Sequence, residues 1–165
     1  MKGGFGCSPC CGGGNCTFTE AGSDAVDSNY WSAQGFITPS GGLTLSSVTV
    51  YIDSTAGTKQ PTVAQMAVEL YSSINSEYPN ASILSLTAPA AIADTMTWTA
   101  PDEPLAGNTL YYIVMRLTAV NKITYWRYEY ASEGCPQGPP SNYSSDGGAN
   151  WFPPSYGSPY MMDIN

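Results

Sequence analysis

The sequence contains no histidine, and this absence excludes several common kinds of catalytic site. Without an imidazole there is no Ser-His or Cys-His pair to activate a nucleophile, and no histidine-based catalytic zinc site. A glycosidase-type reaction would need two carboxylates in one cleft, and no motif joins any two of the acidic residues as acid and base. The sequence therefore predicts a protein that is not an enzyme.

Charge is also scarce, since Asp, Glu, Lys and Arg make up only 11 % of the chain. The usual share in globular proteins is about 25 %. Five basic residues against 13 acidic ones give a net charge of −8, which leaves little to neutralise a phosphate backbone. We therefore expect no nucleic-acid partner, and a surface of Ser, Thr, Asn, Gly and Tyr like that of fibre, capsid and secreted β proteins.

Long hydrophobic runs are missing as well. No stretch of about 18 apolar residues is present, which predicts no transmembrane helix and no membrane insertion. The N-terminus lacks the apolar core of about 7–15 residues found in secretory signals. Either a signal was removed before Met1, or the protein reaches an oxidising environment by another route, such as release of a virus particle by lysis. Both explanations predict an extracellular location, as a virion component or a cell-surface appendage.

The cysteines are concentrated in a glycine-rich arm, residues 1–16, which precedes a predicted folded domain at residues 17–165. The five cysteines are Cys7, Cys10, Cys11, Cys16 and Cys135. Because the count is odd, an oxidising setting leaves one thiol for a partner chain, so disulfides and an intermolecular cross-link are predicted. A zinc site formed by the four thiolates of the arm, or free thiols, are the alternatives.

After the arm, apolar and polar residues alternate in short runs, which predicts β-strands rather than helices. The predicted strands are residues 43–53, 63–73, 82–87, 94–99, 110–118, 123–130 and 160–164, with a further element around Trp151. Clusters rich in proline and glycine separate these runs and predict turns at residues 39–42, 53–61, 78–80, 101–107 and 134–148. This pattern predicts an all-β fold, an antiparallel β-sandwich of jelly-roll type with an extended Cys/Gly-rich N-terminal arm.

Two parts of the sequence resemble known proteins. Residues 144–151 read SSDGGANW and fit the Asp-box pattern S-x-D-x-G-x-x-W, in which an Asp side chain closes a hairpin turn and the Trp enters the core. Sialidases carry several such turns away from their chemistry, so this resemblance implies a fold element and no activity. The succession VELYSS, YPNASILSLT, PLAGNTLYYIVM and YWRYEY resembles the bacterial choice-of-anchor β-sandwich domains, with Pro79-Asn80 where those domains have Pro-Gly. That resemblance implies a surface or appendage module.

The candidate contact residues are aromatic. Tyr143, Phe152, Tyr156 and Tyr160 lie in Pro/Gly-rich sequence and are predicted to be exposed contacts, either in a subunit interface or on a glycan. Trp126 and Trp151 are instead predicted to lie in the core.

Three sequons predict glycosylation at Asn15, Asn80 and Asn142. Asp102 and Glu103 are the candidate ligands for a structural calcium ion, and no other cofactor is expected.

These observations together predict a structural subunit of an extracellular assembly, on a virion surface or in a cell-surface filament. Its expected partners are copies of itself or other proteins of the assembly, contacted through the arm and the aromatic loops and locked by disulfides. The alternative is a carbohydrate-binding or adhesion module, whose partners would be glycans. An exposed, coplanar aromatic pair beside a calcium ion or a groove would favour the alternative.

Overall fold

The computed structural model describes residues 18–54, 57–75, 77–131, 141–153 and 159–165, without the side chains of residues 18–21 and 129–131. The arm and all five cysteines, together with Asn15 and Tyr156, lie outside these residues. The described residues form ten strands: β1 (Phe18–Val26), β2 (Trp31–Ile37), β3 (Leu43–Asp53), β4 (Met66–Ile74), β5 (Tyr78–Ser85), β6 (Thr95–Leu105), β7 (Leu110–Leu117), β8 (Thr124–Ala131), β9 (Ser141–Ser144) and β10 (Met162–Ile164). Two short 3-10 turns, Gly57–Lys59 and Val63–Gln65, precede β4.

The strands form two antiparallel sheets. Sheet I has the order β1-β8-β3 with β6 on the far side of β3, and sheet II has the order β5-β4-β7-β2-β9. Strand β1 pairs with β8, β2 with β7, β3 with β6 and β4 with β5, so the first eight strands form one long hairpin rolled into two sheets. This is the jelly-roll arrangement, and it confirms the predicted all-β sandwich.

Side-chain alternation explains how the sheets pack. Strand β3 buries Leu45, Val48, Val50 and Ile52, and its register against β6 shifts between Leu45 and Ser47. At this irregularity Ser46 lies opposite three residues of β6, 100–102, and the buried positions of β3 change from odd-numbered Leu45 to even-numbered Val48. Apolar residues on both sides of Ser46 therefore face the same core. Trp98 and Trp126 are the largest fully buried side chains, as predicted for Trp126.

The C-terminal segment completes sheet I. Strand β10 pairs with β3 through Met162–Ile164, while Met161 N donates to the Arg127 carbonyl of β8. The indole Nε1 of Trp126 donates to the Met161 carbonyl at 2.9 Å. These bonds place the segment between β3 and β8. The strand predicted at residues 160–164 is present, but it covers only Met162–Ile164.

Several predicted boundaries are wrong. Residues 63–65 form a 3-10 turn, so β4 begins at Met66. Residues 78–80 begin β5, because the reversal occurs earlier, near Asn75, whose φ is 53°. Strand β6 continues through most of the predicted turn at 101–107, with Asp102 also at a φ of 53°. Pro79 is accommodated because β5 is an edge strand of sheet II, where a missing backbone donor costs little.

Three strands were not predicted: β1, β2 and β9. In the described part of the chain there is no helix with the length and apolar character needed to span a membrane.

Candidate functional site

Three aromatic rings form a row at the β9 edge of sheet II. Tyr30 stacks on Tyr143 with ring centroids 5.7 Å apart and planes 2° from parallel. The ring centroids of Tyr143 and Phe152 are 5.8 Å apart. Tyr30 is 42 % exposed and Phe152 is 44 % exposed. We call Tyr30, Tyr143 and Phe152 the aromatic edge. It contains two of the predicted contact residues, and Tyr30 is an addition that the sequence did not indicate.

Backbone hydrogen bonds hold the aromatic edge in place. Tyr143 N donates to the Phe152 carbonyl at 2.9 Å, and Phe152 N donates to the Tyr143 carbonyl at 2.8 Å. Tyr30 follows a turn in which its backbone N–H and that of Asn29 donate to Asp27 Oδ1, both at 2.7 Å. The three rings are therefore positioned by two closed turns before any partner binds.

The prediction of an exposed contact is wrong for Tyr160. Its side chain is 4 % exposed and stacks on Trp126, with ring centroids 4.8 Å apart. Its hydroxyl donates to Asp24 at 3.0 Å, and burial is the main reason that the pKa of Tyr160 is raised. Tyr160 is a core residue because the C-terminal segment enters sheet I.

The turn between β9 and Phe152 has the predicted Asp-box chemistry. Asp146 Oδ1 accepts hydrogen bonds from the Ser144 hydroxyl at 2.8 Å and from Asn150 N at 2.9 Å. Asn150 Nδ2 donates to Asp146 Oδ2 at 2.6 Å, and Gly148 N donates to the Ser144 hydroxyl at 2.8 Å. The bonds from Asn150, followed by that from Ser144, favour the ionised carboxylate and lower the pKa of Asp146 to about 2.

This lowered pKa predicts a pH dependence of stability. The ionised form of Asp146 stabilises the fold above its ordinary pKa of 3.8, and this contribution is lost as the pH falls towards about 2. We expect Asp146→Asn to destabilise the protein at neutral pH and to reduce the further loss of stability in acid. Urea unfolding midpoints measured from about pH 6 to about pH 2 test this.

Asp102→Asn is the matched control for that measurement. Asp102 is exposed, and its positive φ is one that asparagine tolerates. This variant reports the general effect of removing one negative charge. Identical pH profiles for the two variants would contradict the role assigned to the turn.

The Asp-box turn is seated on sheet II through Trp31. Gly148 has a φ of +86°, and a Cβ atom at that position would lie 2.6 Å from the Trp31 ring. Gly147 N donates to the Asn29 carbonyl at 2.9 Å, and Trp31 Nε1 donates to the Ser28 carbonyl at 3.0 Å. Trp151 is only partly buried, against a small cluster of Ala33, Tyr112 and Val114 on the outer face of the sheet, rather than in the main core.

An ion pair lies on the same outer face. Glu69 is 6 % exposed, and its Oε2 accepts a hydrogen bond from Arg116 Nε at 2.9 Å. The Ser85 hydroxyl donates to Glu69 Oε1 at 3.0 Å, and the Arg116 guanidinium lies 5.0 Å from the centroid of the Trp31 ring. Burial, followed by the charge of Glu69, raises the pKa of Tyr71 beside this pair. Two lone, opposite charges in otherwise apolar strands are the sequence signal that could have predicted the pair.

Two buried polar groups anchor the β4–β5 turn. The Tyr112 hydroxyl donates to the Glu77 carbonyl at 2.5 Å, and Asn142 Nδ2 donates to the same oxygen at 3.3 Å. Burial is the main reason that the pKa of Tyr112 is raised to about 12. Asn142 is buried and hydrogen-bonded, so its predicted glycosylation is wrong for the folded protein. Asn80 is exposed, and its sequon stays a prediction.

A cleft of about 290 Å³ separates the β4–β5 region from the Asp-box turn. Its walls include Ile74, Tyr78 and Asn80 on one side and Asn150 and Trp151 on the other. We call this the Trp151 cleft.

The predicted calcium ligands are not gathered into a cluster of carboxylates. Asp102 is exposed and Glu103 is half-buried on β6, the strand that pairs with β3. Within the described ranges, no three acidic, cysteine or histidine residues come together in a way that could hold a metal ion.

No protein-family model matches this sequence, and a search of curated proteins finds no match. Membership of the choice-of-anchor domains therefore stays a prediction.

Proposed function

We propose that the protein is a non-enzymatic structural subunit of an extracellular assembly, on a virion surface or in a cell-surface filament, and that it associates with copies of itself. The aromatic edge is the observation that carries this proposal. Tyr30 and Phe152 each leave more than two fifths of their surface exposed, although both are large apolar side chains. Aromatic residues are enriched in protein interfaces because they give a large contact area with few rotatable bonds.

Pre-organisation supports the same proposal. The rings of the aromatic edge are held by the Tyr143–Phe152 backbone pairing and by the turn at Asp27. A surface that is already ordered loses little side-chain entropy on association. The low content of charged residues also supports the proposal. Each copy has a net charge of −8, so two copies repel each other least when the surfaces in contact carry few carboxylates. In this proposal the cysteines of the arm then lock contacts that the folded domain forms first.

Sedimentation of the full chain, with a reductant present, tests the non-covalent contact. We expect the double variant Tyr30→Ser/Phe152→Ser to weaken self-association at least tenfold, which corresponds to about 1.4 kcal/mol. Its thermal unfolding should change little, because both substitutions lie at exposed positions.

Val120→Ser is the matched control, since Val120 is an exposed apolar residue in the turn before β8. This control should associate like the wild type. Equal association of the wild type and the double variant would overturn the role of the aromatic edge.

A further inference from the structure

We infer that the Trp151 cleft is a binding site for a neutral saccharide, a function separate from self-association. The cleft shares no side chain with the aromatic edge. Its volume of about 290 Å³ is just below the range of about 300–1,000 Å³ typical of sites for drug-sized ligands, which suits one sugar ring. Neighbouring rings of an oligosaccharide would extend out of its open side.

Both walls of the cleft are fixed before a ligand arrives. On one side, Tyr112 and Asn142 bind the Glu77 carbonyl, which anchors the turn leading into Tyr78 and Asn80. On the other side, Gly148 lies against the Trp31 ring and Asp146 closes the turn that carries Asn150. Such anchoring lowers the ordering cost of binding, as a built site requires.

The chemistry of the walls matches that of a sugar. Tyr78 and Trp151 supply aromatic surface, which binds the apolar C–H face of a sugar ring. Asn150 uses its Nδ2 to bind Asp146, so its Oδ1 is oriented and available to accept a hydrogen bond from a sugar hydroxyl. Within the described part of the chain, the Asn80 side chain has no hydrogen-bond partner, so its amide is free to donate and accept.

The electrostatics favour a neutral ligand. None of the described residues that line the cleft is charged, and the net charge of −8 opposes binding of phosphorylated, sulfated or acidic sugars. A proline-rich peptide also binds aromatic surfaces, but its extended helix needs a longer aromatic groove than one Tyr and one Trp provide. A neutral saccharide is the ligand that fits size, charge and hydrogen bonding together.

Titration calorimetry with maltotriose, cellotriose, triacetylchitotriose and a proline-rich decapeptide tests this inference. The full chain should come from a host without N-glycosylation, because a glycan on Asn80 would lie at the cleft. We expect at least one of the saccharides to bind with a Kd of about 1 mM or tighter. Tyr78→Ala and Asn80→Ala should each weaken that binding at least fivefold, without a matching loss in thermal stability.

Ser82→Ala is the matched control, since it also removes an exposed polar side chain from β5 but leaves the Asn80 side chain in the cleft. It should bind the saccharide like the wild type. The Tyr30→Ser/Phe152→Ser variant should also bind normally, which separates this inference from the proposed assembly. The inference is overturned if no saccharide binds at about 20 mM, if only the peptide binds, or if the cleft variants bind as tightly as the wild type.

Discussion

Replacing Glu69 with alanine is expected to lower the free energy of unfolding by about 3 kcal/mol. Glu69 is almost fully buried, and its carboxylate accepts hydrogen bonds from Arg116 Nε at 2.9 Å and from Ser85 at 3.0 Å. The Arg116 side chain is only 25 % exposed. Removal of the carboxylate would leave this guanidinium partly desolvated without its counter-charge, which costs more than the ion pair itself contributes.

Two further variants distinguish the loss of the Glu69–Arg116 ion pair from the loss of the Glu69 side chain itself. Arg116→Met combined with Glu69→Ala should cost less than the sum of the single substitutions, because neither charge is then left alone. Glu69→Gln keeps the size and one acceptor and should cost less than Glu69→Ala. Urea unfolding at neutral pH measures all of these free energies. A cost for Glu69→Ala below about 1 kcal/mol would show that the pair behaves like an exposed salt bridge.

Gly107→Ala is expected to destabilise the protein by about 3 kcal/mol or more. A Cβ atom at Gly107 would lie 2.1 Å from the Ser40 carbonyl oxygen and 2.7 Å from the carbonyl carbon. Both atoms belong to the backbone, so a side-chain rotation cannot relieve the overlap. The connections β2–β3 and β6–β7 would have to separate, although the hydrogen bond from Asn108 N to the Pro39 carbonyl at 3.2 Å joins them.

Gly41→Ala is the matched control, in the β2–β3 connection that Gly107 approaches. A Cβ atom at Gly41 has no neighbour within 4 Å, and Gly41 is not among the residues with positive φ. We expect no loss of stability, or a gain of about 0.4–1 kcal/mol, because alanine restricts the unfolded chain. Thermal and urea unfolding of the two variants compare them directly. A similar effect at both positions would contradict the close approach of the two connections.

The sequence predicts those strands whose burial is one-sided or whose apolar runs are long. Strands β3, β7 and β8 were predicted within a residue or two, because β-branched and aromatic residues dominate them. Strand β2 has both faces covered and contains Ser, Gln and Gly, so its sequence shows no alternation. Strand β9, SNYS, is extended only because β2 offers it an edge, which is a tertiary effect that local sequence does not contain.

The candidate site shows the same limit. Tyr143 and Phe152 were predicted as contacts from their Pro/Gly-rich surroundings, but the same argument failed for Tyr160. Only the insertion of the C-terminal segment between β3 and β8 brings Tyr160 onto Trp126. Tyr30 escaped prediction because it is distant in sequence from Tyr143 and meets it only when β2 pairs with β9. Composition identifies residue types suited to contacts, whereas strand pairing decides which of them meet.

The most direct test of a self-associating subunit locked by disulfides uses protein from its natural source. Free thiols are alkylated, the sample is run on denaturing gels with and without reductant, and the intact mass of each band is measured. Our account predicts disulfide-linked multiples of the chain mass that collapse to the monomer on reduction. The one thiol left by the odd cysteine count joins two chains, and a longer ladder forms where further cysteines also pair between chains. A monomer in both lanes would contradict covalent assembly.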